Sequence, residues 1–216
     1  MISQKVAEEI LKTRVEPDIV LPLSRLSDNR YFYVPAHPEF YSHFKSKGYL
    51  YVFVHPGFLA DSFIKEKEYK MYFNNIRWLN EKLRENNEPI MKVLEKDVLL
   101  GKKRIHKTFY PKNQELLLIT EFGDPKLSEF IETAYGRVEI NPKLVYLFLK
   151  KTGVEELRFS GELVGEEGCL KHVAEGFHNN GFRVRGVKDC IYPIIPYKKD
   201  NKILKMLYDD MIIPKY

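Results

Sequence analysis

The chain has 216 residues, 44% of them hydrophobic and 30% charged, enough for one α/β domain with a sizeable core. Its net charge of +5 is spread along interleaved Lys and Glu, the pattern of a solvated surface, so nucleic acid is not the expected partner. Two cysteines, Cys169 and Cys190, make no disulfide framework and suit a reducing compartment. No run reaches transmembrane length and the start carries no secretory-type apolar core, so a cytoplasmic protein without membrane contact is expected.

In chain order, Met1 to Arg14 has Ile2, Val6 and Ile10 on one helical face. Residues 15–38 are punctuated by Pro17, Pro22, Pro35 and Pro38 and read as an extended arm, with a short strand at Tyr31 to Val34. The arm is taken as residues 1–48. Its aromatics suit packing across a sheet edge or a subunit contact.

Tyr49 to Val54 is a continuous apolar run of the buried parallel type. It ends in His55-Pro56-Gly57. A long helix is expected over Asp61 to Asn86, with Ile76, Leu79 and Leu83 inward. Pro89 to Leu94 is a second strand, Glu95 to Lys112 a basic connection containing His106, and Glu115 to Thr120 a third strand. Asp124 to Thr133 reads as a short helix opened by Pro125. Tyr135 to Ile140 suits another strand, and Asn141-Pro142 opens a helix to Lys151. The tail, 194–216, holds an amphipathic helix at Asn201 to Asp210.

The most informative stretch is Glu156 to Pro193. Leu157 to Ser160 reads as a short strand and Gly161 to Gly168 as a loop. Cys169 opens a helix whose apolar residues Leu170, Val173, Ala174 and Phe177 fall at helical spacing. Asn179-Asn180-Gly181 stops it, with Gly181 as a left-handed cap. Phe182 to Val187 is the next strand, followed by Asp189. Strands alternating with helices imply a parallel sheet covered on both faces, in a doubly wound layout within a single domain.

A cysteine in the first turn of a helix sits over unpaired N–H groups at the positive end of the dipole. Its thiolate is stabilised there, and the same N–H groups can bind the oxyanion formed when the thiolate attacks a carbonyl. Gly165 and Gly168 allow backbone to approach a ligand. A buried, inert cysteine is the bland alternative.

Gly161, Cys169, Gly181, Phe182, Val184 and Asp189, preceded by Lys151 to Leu157, resemble the signature segment of the isochorismatase-like cysteine hydrolases. The resemblance implies an isochorismatase-like three-layer α/β fold and a Cys nucleophile acting on a small amide-like or related C–N or C–O substrate. It also implies that the strands at Tyr49 and Leu157 are neighbours, so that His55 faces Cys169. The family's Asp at the end of the first strand is replaced here by His55. No Lys stands in register at the family's lysine position, although Lys143 is close. His55 is the substitute general base, because imidazole can take a thiol proton near neutral pH. His172, one turn beyond Cys169, is a weaker candidate. No metal-binding pattern is visible, and no metal or cofactor is expected.

Two classes of function follow: a divergent cysteine hydrolase, or a catalytically degenerate homologue that binds a ligand or a protein partner. The aromatic arm and the tail offer apolar surface beyond one core's needs, which implies a homo-oligomer, most simply a dimer.

Overall fold

The computed structural model describes residues 32–33, 47–57, 66–95, 105–110, 112, 115–120, 130–133, 136–139, 146, 149–150, 152–162, 168–193 and 201–214. Its centre is β2 (Tyr49–Val54), whose six residues alternate between two cores. Leu50, Val52 and Val54 join one apolar cluster, while Tyr51 and Phe53 join another on the opposite face. An uninterrupted apolar run is what a strand buried on both faces requires.

Around β2 lies a six-stranded sheet. It contains β1 (Phe32–Tyr33), β3 (Ile90–Glu95), β4 (Leu116–Thr120), β7 (Glu156–Glu162) and β8 (Arg183–Tyr192), in the order β1-β4-β3-β2-β7-β8. All pairings are parallel except β1 with β4. From β2 the chain adds strands outward through β3 and β4, then returns to β2's other side with β7 and β8. This is a doubly wound order, and its reversal falls between β2 and β7.

Helices cover both faces. On one, α1 (Lys67–Glu85) buries Tyr69, Tyr72, Phe73, Ile76, Leu79 and Leu83 together with Phe109 of a short 3₁₀ turn (Lys107–Phe109). On the other, α2 (Cys169–Asn179) buries Leu170, Val173, Ala174 and Phe177, and α3 (Lys202–Asp209) buries Ile203, Leu204 and Leu207. Each such aliphatic or aromatic side chain contributes about 1.5–3 kcal/mol of transfer free energy. Gly181 ends α2 at φ +84°, the left-handed position that glycine occupies without a Cβ penalty. Asn201 caps α3, its side chain accepting the Ile203 N–H at 2.8 Å.

Three expectations are corrected. The stretch expected as a helix over Asp124 to Thr133 contains a strand, β5 (Phe130–Thr133), paired antiparallel with β6 (Gly136–Glu139). Phe-Ile-Glu-Thr is rich in aromatic and β-branched residues, and pairing overrides the proline start signal. Gly161 and Glu162 belong to β7 rather than to the following loop. β8 continues past Asp189 to Tyr192, because it carries a bulge: between Phe159↔Gly186 and Gly161↔Ile191 it uses five residues against two of β7. Asp189 takes φ +59° within that bulge, and Cys190 turns into the core. The amphipathic segment at Met1 to Arg14 lies outside the described residues.

Candidate active site

The reversal point leaves two adjacent strands, β2 and β7, ending side by side, with Val54 opposite Gly161. Gly161 sits at φ +132°, and a Cβ there would lie 2.0 Å from the Val54 carbonyl oxygen. Only glycine lets β7 approach the end of β2 this closely. In open α/β sheets, ligands bind beyond such carboxyl ends.

The turn after β2 carries His55 at φ +45° and Gly57 at φ +75°. A positive φ on a non-glycine residue costs about 1–3 kcal/mol and concentrates at functional turns. His55 is only 5% exposed, and its N–H donates to the Val93 carbonyl at 2.9 Å, so β3 holds the turn against the sheet edge. A Cβ on Gly57 would meet Phe73 at 3.0 Å and Phe109 at 3.3 Å, which packs the turn beneath α1 and the 3₁₀ turn.

Beyond β7, Cys169 is the first residue of α2. Its cap residue, Gly168, has no side chain to offer the first-turn N–H groups. Cys169 is partly exposed and packs against the α2-side core. Cys190 is buried, and burial, reinforced by the neighbouring Asp189 charge, pushes its thiol up to about 12. The two thiols are therefore chemically distinct. His172 lies one turn along α2, half-buried, with its N–H bonded to the Gly168 carbonyl at 3.3 Å. His55 and Gly161 thus stand at the paired ends of β2 and β7, and Cys169 opens the helix that follows β7, with His172 a turn further along it. Gly165 and Lys143 lie outside the described residues.

The edge also holds groups that sequence reasoning did not single out. Glu162, the last residue of β7, is 1% exposed. It accepts hydrogen bonds from the Tyr69 hydroxyl at 2.7 Å and the Tyr72 hydroxyl at 3.4 Å. Burial, then the Glu162 charge, holds the Tyr72 phenol well above its ordinary value, so it stays a donor. Tyr192 closes the cluster, its ring 5.0 Å from Tyr69 and 5.7 Å from Tyr72, with its hydroxyl bonded to Glu66 at 3.1 Å. The signals for this cluster were Ser160-Gly161-Glu162 breaking an apolar run and two tyrosines three apart on one helix face.

Among the described residues, no group of three or more His, Cys, Asp or Glu is placed to hold a metal ion, and no helix is long and apolar enough to cross a membrane. Two open grooves, of about 330 and 500 Å³, share Gly181, Phe182 and Arg183 at the opposite, amino-terminal edge of β8. The candidate site therefore rests on side-chain chemistry and strand order rather than on either groove.

No family model matches the chain, and no curated protein matches it. Solved structures of similar fold include an isochorismatase from Pseudomonas putida KT2440, at 14% identity and TM-score 0.47 over 74% of each chain. Another is N-carbamoylsarcosine amidase from Thermoplasma acidophilum, at 13% identity and TM-score 0.47 over 76% of this chain and 95% of that one. A third is the nicotinamidase of Staphylococcus aureus, at 11% identity and TM-score 0.45 over 67% and 83%. Likenesses this distant carry no information on chemistry.

Proposed function

We propose that the protein is a cysteine-dependent hydrolase of a small amide-like substrate, with Cys169 as nucleophile and His55 as general base. The observation that carries this reading is the placement of Cys169. It is a partly exposed cysteine, first residue of a helix whose cap residue, Gly168, offers no side chain, following the strand that pairs with the one His55 succeeds. In the proposed reaction, His55 takes the thiol proton and the Cys169 sulfur attacks the carbonyl carbon. The oxyanion is met by N–H groups of the first turn of α2. The C–N bond breaks as His55 returns the proton to the leaving nitrogen. Water, deprotonated by His55, then adds to the thioester, releasing the acid and restoring the thiol. Gly165 is a candidate for the ligand loop, Lys143 and His172 are weaker participants, and neither metal nor cofactor is needed for this chemistry.

The test is iodoacetamide labelling across pH, read by mass spectrometry, together with hydrolysis of a panel of small amides. Cys169 labels at least about tenfold faster than Cys190 near neutral pH, His55→Ala slows it, and Cys169→Ala abolishes hydrolysis while the chain still folds. A Cys169 that reacts no faster than a free thiol, and is indifferent to His55→Ala, overturns the catalytic reading.

One observation favours a second reading. The end of β2 carries His55 where the resembled family has Asp, so a binding protein that retains the fold without the chemistry is the alternative. Ligand-dependent stabilisation without turnover would mark it. We also propose a cytoplasmic chain that self-associates through apolar surface such as Ile213 in the tail, which is 66% exposed. Light scattering showing a monomer at high concentration would overturn the self-association.

A further inference from the structure

Met71 and Trp78 stand on the outward face of α1, where a surface helix is ordinarily polar. They are 50% and 45% exposed. With Tyr110, whose carbonyl Arg84 binds at the end of α1, they make up three of the four large hydrophobic side chains exposed among the described residues. Apolar residues scattered singly are normal on a surface, but these two lie seven apart, two turns along one helix. The outward residues of α1 follow in alternating steps of four and three: Lys67, Met71, Asn74, Trp78, Glu81 and Glu85, every one exposed. That spacing is the seam by which one helix packs on another. The opposite face of α1 is already buried in the core.

The seam carries charge in an order that α1 by itself does not favour. A helix is stabilised by acidic groups at its amino end and basic groups at its carboxyl end. Glu68, Lys82 and Arg84, beside the seam, obey that rule. On the seam, Lys67 stands at the amino end and Glu81 and Glu85 at the carboxyl end, the reverse of it. A second α1 laid antiparallel on the first removes the mismatch. At about 1.5 Å per residue, a two-fold axis passing Ile76 sets Lys67 level with Glu85 of the second copy, and Glu85 level with its Lys67. Trp78 then falls level with the second copy's Asn74 and about 4.5 Å along the axis from its Met71. Each indole so enters a hole bounded by Met71, Asn74, Asn75 and Trp78 of the other helix. The like-charge pair in this register, Lys70 with Lys82, lies beside the seam, where Lys82 is bridged to Glu85 at 2.6 Å. A parallel arrangement would set Lys67 against Lys67 and Glu85 against Glu85.

We propose that the outward seam of α1 is an interaction surface whose partner is the same seam of a second copy of this chain, antiparallel about Ile76. The proposal rests on the self-association put forward above and names the face that carries it. That face is separate from the exposed Ile213, which lies on the tail beside the Val187–Ile212 bridge to β8.

Trp78 is the chain's single tryptophan, so its fluorescence reports on the seam directly. The experiment follows sedimentation equilibrium and tryptophan emission together across protein concentration, from low salt to about 0.5 M. The parent forms a dimer as its emission moves to shorter wavelength, and the dimer weakens as salt rises. Lys67→Glu and Glu85→Lys, both at exposed positions, each weaken it about tenfold or more. The variant carrying both changes recovers to within about threefold of the parent. Such recovery requires contact between copies, because residues 67 and 85 lie about 27 Å apart along one helix. Charge reversals whose effects add instead of compensating overturn the antiparallel seam. A dimer that Ile213→Asp dissolves, while the α1 variants and the Trp78 emission leave it unmarked, keeps self-association and overturns the α1 surface. A parent that stays monomeric at every concentration ends both.

Discussion

Two ionisable side chains are buried beneath opposite halves of α1, and their partners differ in kind. Glu162 lies under the amino-terminal half, where it accepts hydrogen bonds from two phenols. Lys92, in the middle of β3, lies under the carboxyl-terminal half and is fully buried. Its Nζ donates to Asn80 Oδ1 and sits 3.5 Å from the Phe53 ring centroid. Asn80 in turn donates to the Thr108 carbonyl at 3.0 Å. Arg84 bonds both oxygens of Glu115, at 2.6 and 3.0 Å, and the carbonyls of Thr108 and Tyr110. Every partner of this second cluster belongs to the scaffold that pins the 3₁₀ turn against α1.

Compensation also differs within the scaffold cluster. Burial pushes the Glu115 carboxyl up, but Lys92 and the Arg84 fork outweigh it and hold the group below its usual range. Lys92 is not so compensated. Burial drives it down to about 7, and nearby Glu115 recovers only part of that. The contrast teaches that opposite charge decides: two cations face Glu115, whereas the one carboxylate near Lys92 is opposed by Arg84 and the rest of its surroundings are a neutral amide and aromatic faces.

The largest effect is expected where the two strand ends meet. Gly161→Ala places a Cβ against the Val54 carbonyl at a φ suited to glycine, so chemical denaturation should show a loss of about 3 kcal/mol or more, or no folding. A parent-like unfolding midpoint would mean that the close approach of β7 to β2 is dispensable.

Arg84→Ala comes next. It strips the fork from Glu115 and leaves a carboxylate largely buried, at a cost of about 3–5 kcal/mol. Hydrogen exchange should show residues 105–110 loosening while the Tyr69–Glu162 end of α1 stays protected. Loosening at both ends would show that the two clusters are one unit.

Lys92→Met sharpens the same division through pH. Because the folded value of Lys92 lies below its unfolded value, the unfolded chain holds a proton that the folded chain lacks between about pH 7 and 10.5. Stability from this group therefore rises with pH across that window, by about 1.4 kcal/mol per unit, and is lost as pH falls toward 7. The stability of Lys92→Met relative to the parent should accordingly decline from pH 7 to pH 9 in urea titrations. A difference independent of pH would contradict it.

The smallest effect is expected from Tyr192→Phe, which removes one part-buried hydrogen bond to Glu66 and should cost about 1 kcal/mol. A loss as large as that of Arg84→Ala would place Tyr192 at the heart of the phenol cluster rather than at its rim.

Much of this architecture was legible in the residues. The spacing of Leu170, Val173, Ala174 and Phe177, with Gly181 after them, marks α2 because side-chain periodicity and a left-handed cap are properties of the local chain. The apolar run at Tyr49 to Val54 marks a strand buried on both faces for the same reason. The expected pairing of that strand with the one at Leu157 is observed, parallel and in register from Tyr49↔Glu156 to Val54↔Gly161. The stretch at Phe130 misled because a proline start signal is local, whereas its strand identity comes from pairing with Gly136–Glu139.

What could not be read was the fate of polar residues at element ends. Glu162 reads as part of a loop, and Lys92 is not singled out within the strand at Pro89 to Leu94. Helical and strand periodicity need only a residue's near neighbours along the chain. Whether a carboxylate or an ammonium is buried, and what compensates it, depends on side chains dozens of residues away. Tyr69 and Tyr72 reach Glu162 across 93 and 90 positions. Those encounters exist only after β2 and β7 have been laid side by side.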